Sequence, residues 1–93
     1  MEGRTTTVAA LDPASFAEVL ECELPPGAAI DYPLPPRLGL EHHLYLEEGA
    51  LELMIEGNVH RLSAGDCLRY KLMGASRFHA IGRRPARYVL VLR

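Results

Sequence analysis

Apolar and polar residues alternate one by one along most of this chain, and a period of two is the spacing of a β-strand with one buried face. Leu20-Glu21-Cys22-Glu23-Leu24 puts its apolar side chains on one face and its acids on the other. Pro25-Pro26-Gly27 then ends the strand with turn chemistry. A shorter strand is expected over Ala28–Tyr32. Pro33-Leu34-Pro35-Pro36 follows; it cannot donate to a sheet ladder and belongs to a loop or an edge. The same residues match the P-x-x-P recognition pattern, a match that arises easily by chance.

From His42 the pattern sharpens. His43–Leu46 reads as a strand and Glu47-Glu48-Gly49 as a bend, after which Leu51, Leu53 and Ile55 alternate with Glu52, Met54 and Glu56. Glu56-Gly57-Asn58 signals a tight hairpin in which Gly takes positive φ. Val59–Leu62, Cys67–Leu72, Arg77–Ile81 and Arg87–Leu92 complete seven or eight strands. Turns fall at Ser63-Ala64-Gly65-Asp66 and Gly82-Arg83-Arg84-Pro85. The single helix candidate is Asp12–Glu18, one or two turns with Asp12 as cap and Pro13 in the first turn. Short strands with turns at close, regular spacing predict an all-β sandwich or small barrel.

At 93 residues the chain holds one domain, and a complete β-domain leaves no room for a DNA-reading helical module. No apolar run approaches the ~18 residues of a membrane span. The first seven residues lack the apolar core of a signal peptide. Cys22 and Cys67 stand far apart with no C-x-x-C pair. That suits reduced thiols in a cytoplasm and leaves one bridge between them open. A domain this small buries only about 60–65% of the surface its unfolded chain exposes, so help from a partner subunit is expected.

Charge is unevenly spread. Residues 1–60 carry Arg4 and Arg37 against eleven acids, a net of −9, whereas residues 61–93 carry eight bases against Asp66, a net of +7. Such asymmetry can mark a nucleic-acid surface. It arises equally when the two halves interleave and opposite charges meet on neighbouring strands. No recognition helix or aromatic platform accompanies these arginines, so nucleic acid is not the expected partner.

Gly39–Leu53 resembles the first motif of the cupin superfamily, and Leu62-Ser63-Ala64-Gly65-Asp66-Cys67-Leu68 resembles the opening of the second. They come in the family's order, one hairpin apart, and Arg77-Phe78 and Pro85–Tyr88 extend the likeness. The resemblance covers about residues 19–93 of a single 1–93 domain, with residues 1–18 as an N-terminal extension or short helix or strand. It implies a double-stranded β-helix, the cupin jelly-roll barrel, with a pocket at its mouth. The chain is also similar to the cupin sensing domains of helix-turn-helix regulators.

Metal-binding cupins use two His and a Glu from the first motif and one His from the second, a set suited to Fe, Mn, Ni or Zn. Anchored on Gly49, the Glu position falls on His42. The two His positions fall on Arg37 and Pro35, or on Leu38 and Pro36 in the shorter register; the fourth falls on Ser76. The resemblance therefore implies a degenerate site with neither metal nor cofactor. His43 should face away from His42 because adjacent strand residues do. His79, three residues past Ser76, rejoins the inner face only through a bulge. His60 is expected to face outward or to pair with Glu neighbours. Cys67 could be activated beside Arg69 or Lys71, but a buried, inert thiol is the commoner case.

These residues point to a non-catalytic module that binds or senses a small ligand and has no catalytic residue. Arg37, His42, Tyr70 and Ser76 are expected to line the pocket, with Leu44, Leu53, Leu68 and Phe78 as walls. Arg37 at a ligand position suggests an anion-accepting group. The alternatives are a metal-dependent dioxygenase or isomerase with a divergent site, and a structural dimerisation domain with a filled barrel. A homodimer is expected, with Tyr45, Met54 and Val89 or Val91 as contact residues.

Overall fold

Each alternating run forms a strand in the computed structural model, which describes residues 4–10, 18–35 and 38–93. The strands are β1 (Arg4–Ala10), β2 (Glu18–Leu24), β3 (Ala29–Tyr32), β4 (Leu40–Glu48) and β5 (Ala50–Ile55). They continue as β6 (Asn58–Ser63), β7 (Cys67–Leu72), β8 (Ser76–Ile81) and β9 (Ala86–Leu92). Every regular element among the described residues is a strand. The predicted helix lies outside the described residues except for Glu18, which opens β2. β1 pairs antiparallel with β2, so part of the N-terminal stretch is a ninth strand that alternation did not single out.

Two antiparallel sheets face each other, ordered β1-β2-β9-β4-β7 and β3-β8-β5-β6. Period-2 patterning decides what lies between them. Leu24 from β2, Leu44 and Leu46 from β4, and Leu51 and Leu53 from β5 are fully buried. Burying a leucine stabilises by about 1.5–3 kcal/mol. These five pack with Ala28, Ala80, Ala86 and Leu62 into a solid core.

The charged halves interleave. Arg61 meets Glu52 at 3.2 Å across β6 and β5, and Arg77 lies 3.7 Å from Asp31 across β8 and β3. Arg87, on central β9, reaches Glu21 and Glu23 on one side and Glu48 on the other. Three arginines of the second half thus meet acids of the first across neighbouring strands.

Two turns set the register. Gly49, between β4 and β5, has φ +80°, and a Cβ there would overlap the Pro85 carbonyl oxygen and press on Ala86. The β5–β6 hairpin is a two-residue loop, because Ile55 pairs with Asn58. Glu56 as well as Gly57 takes positive φ in it, 49° and 83°. The Glu56 N–H donates to the Ala75 carbonyl at 2.9 Å, which ties the loop to the chain ahead of β8.

Candidate functional site

The leucine core fills one end of the sandwich and leaves the other hollow. At the start of β4 and β8 and the end of β3, β7 and β9, a cavity of about 160 Å³ opens. Its walls are mostly hydrocarbon and aromatic: Leu20, Leu40, Leu72, Leu90 and Leu92, with Phe78, Tyr32 and Tyr88. Phe78 stacks on Tyr88 with centroids 5.7 Å apart and receives the edge of Tyr32 at 5.8 Å.

Few polar groups reach this cavity. His42 and Ser76, 7% and 5% exposed, are its buried polar side chains, one from each sheet. His42 pairs across the ladder with Tyr70, and the Tyr70 hydroxyl lies 3.0 Å from His42 Nδ1. Burial lowers the imidazole pKa to about 4, so the ring is neutral at pH 7. Burial also pushes the Tyr70 hydroxyl upward, with Cys22 and Tyr32 adding to it, so it stays a phenol. The tautomer decides which of the two donates; where the phenolic O–H of Tyr70 donates to Nδ1, the ring proton sits on Nε2. Cys22, also on the wall, hydrogen-bonds to Tyr88, its cross-strand neighbour.

No protein-family model matches the chain, and no curated relative matches its sequence. Solved structures do match. The Cupin_2 domain of an XRE family transcriptional regulator from Enterobacter cloacae superposes with a TM-score of 0.89 at 19% identity, over 98% of this chain and 95% of that one. The fold is that of a cupin domain. An HTH_3 family transcriptional regulator from Vibrio cholerae aligns at TM-score 0.86 and 17% identity, covering 97% of this chain but 49% of its own length. KdgF from Halomonas sp. aligns at TM-score 0.75 and 18% identity, over 97% of this chain and 76% of that one.

The donors at the mouth do not fit the metal that a cupin motif would hold. His42 offers one nitrogen, its other being bonded to Tyr70, and Ser76 is a weak neutral oxygen ligand. Leu38 is an exposed hydrocarbon and Pro35 has no side-chain donor. Among the described residues, no three His, Cys, Asp or Glu side chains group so as to hold an ion. His79 does not rejoin the site: β8 keeps an unbroken register, and His79 sits opposite Glu52 and Ala29 on the face away from Ser76. His43 turns outward to Glu41, 2.7 Å away, as adjacent strand residues must.

Of the expected pocket residues, His42, Ser76 and Phe78 line the cavity. Tyr70 stands behind His42, off the wall. Arg37 lies outside the described residues. Leu44 and Leu53 are not walls; they belong to the solid core, and Leu68 packs against it at the β7 edge. His60 does not face outward: it pairs with Leu53 on the inner side, half-buried because β6 is an edge strand. Cys67 is exposed, which corrects the buried reading, and neither cysteine is in a disulfide. The alternation of β2 and β9 already placed Leu20, Cys22, Tyr88, Leu90 and Leu92 on one face. What it lacked was how far along each strand the solid core extends.

Proposed function

We propose that this cupin is a non-catalytic module that binds a small molecule in the cavity at its mouth, in a sensing or regulatory role. The observation that carries the reading is the hollow itself: about 160 Å³ of mostly apolar space, closed at its base by leucines and fitted with two polar side chains. A purely structural domain gains nothing from that void, because an unfilled apolar cavity costs packing energy. A metal enzyme needs converging ligands, and the side chains at the mouth are poor donors. The regulatory part draws on the regulator domains of the same fold. Two cysteines outside any disulfide suit a reducing, cytoplasmic setting. The working unit is taken to be a homodimer.

Nuclear magnetic resonance during titration with a library of small metabolites tests the reading, with metal analysis of the purified protein alongside. Shifts should gather on β2, β4, β8 and β9 around the cavity and vanish when Leu90→Trp fills it. Stoichiometric iron, manganese, nickel or zinc that is lost in His42→Ala would overturn the proposal in favour of a metal-dependent enzyme.

A further inference from the structure

Two polar atoms in the cavity have no protein partner. Tyr70 takes His42 Nδ1, and among the described residues no side chain or backbone group bonds Nε2 or the Ser76 hydroxyl. Neither atom is sealed, because no buried side-chain nitrogen or oxygen among the described residues lacks both solvent and a partner. Both residues line the cavity, and both side chains are buried on the inner faces of their strands. Their roles differ. Where Nδ1 accepts from Tyr70, Nε2 carries the proton and can only donate, whereas the serine hydroxyl can donate or accept.

No cation among the described residues lines the cavity; its remaining walls are hydrocarbon, a thiol, the Phe78 ring and the phenols Tyr32 and Tyr88. Among the described residues an entering ion would therefore find no counter-charge, and leaving water unpaired costs several kcal/mol. Size adds a limit, since an apolar cavity of roughly 150 Å³ accepts a single benzene ring.

We infer that the cavity takes an uncharged, mostly apolar molecule about the size of one six-membered ring, whose oxygen accepts from His42 Nε2–H with Ser76 as its second polar partner. The inference rests on the ligand-binding reading and gives it a chemical class. Tyr70 acts as a positioning residue: it fixes which nitrogen of His42 donates without touching the occupant.

Cyclohexanone, toluene and benzoate are the probes, titrated at pH 7 and followed by nuclear magnetic resonance. Cyclohexanone should bind several-fold, about 3- to 10-fold, more tightly than toluene, the worth of one added hydrogen bond. Benzoate should bind at least about tenfold more weakly than cyclohexanone. His42→Phe should remove the advantage over toluene, and Tyr70→Phe should reduce it while leaving toluene affinity unchanged. The ¹⁵N signals of His42 should show the Nε2–H tautomer in the wild type. Benzoate binding as tightly as cyclohexanone, or an Nδ1–H tautomer, overturns the assigned class while ligand binding itself stands. Toluene and cyclohexanone both leaving the cavity resonances unmoved overturns the two together.

Discussion

A histidine that titrates well below neutrality has to be kept from water, and His42 is kept from it by the sheet it lies on and by the leucines and phenylalanine around the cavity. Its folded value of about 4 lies below the ordinary 6.5, so the unfolded chain takes up the proton first. The stability this group affects is level above about pH 6.5, falls as the pH drops toward 4, and levels again below that. Urea unfolding at pH 7.5 and pH 4.5 should therefore show wild type losing about 2 kcal/mol more than His42→Phe over that interval. Parallel losses in the two proteins would mean that the ring is not shielded in this way. The inward face of His42 and the outward face of His43 were both legible from their adjacency. The Tyr70 contact was not legible, because it depends on which residue of β7 lies opposite, and only the ladder register sets that. Cys67 escaped for a related reason: it opens its strand on the outer face, where alternation alone does not say which way the run begins.

Among the elements, the join between β4 and β5 is the least tolerant. The chain needs left-handed backbone at Gly49, and the Pro85–Ala86 backbone occupies the space a side chain would take. Gly49→Ala should cost at least about 2 kcal/mol, through both strain and overlap. Gly27→Ala, where φ is also +80° but a Cβ meets nothing within 4 Å, should cost only about 1 kcal/mol. Denaturant midpoints compare the two; equal losses would show that the overlap carries no weight. Strands β2 to β9 were legible because alternation and turn chemistry agree along them. β1 was legible only as one option for residues 1–18, beside an extension or a helix: Thr5-Thr6-Thr7-Val8 is rich in β-branched residues, but it shows no alternation and its partner follows only after a gap. Glu56 in left-handed backbone was equally invisible, since glycine or asparagine is the usual occupant of such a position.

For the whole molecule, the outer face of the five-stranded sheet carries the exposed Tyr45. Tyr45 is 45% exposed there and pairs with Val89 on one side and Cys67 on the other, while Val91 pairs with His43. Met54 is exposed on the other sheet. If the working unit is a homodimer joined through the Tyr45 face, light scattering should give twice the chain mass, and Tyr45→Glu should halve it. A wild type that stays monomeric across a wide concentration range would refute the pairing. Arg61, Arg77 and Arg87 of the second half meet acids of the first across neighbouring strands. Leucines at the base hold the strands together, and Cys22, Phe78, Tyr88 and Leu90 carry that same core out to the cavity wall. Any exchange of lining side chains is therefore also a repacking of the sandwich, and the hollow cannot be reshaped independently of the fold.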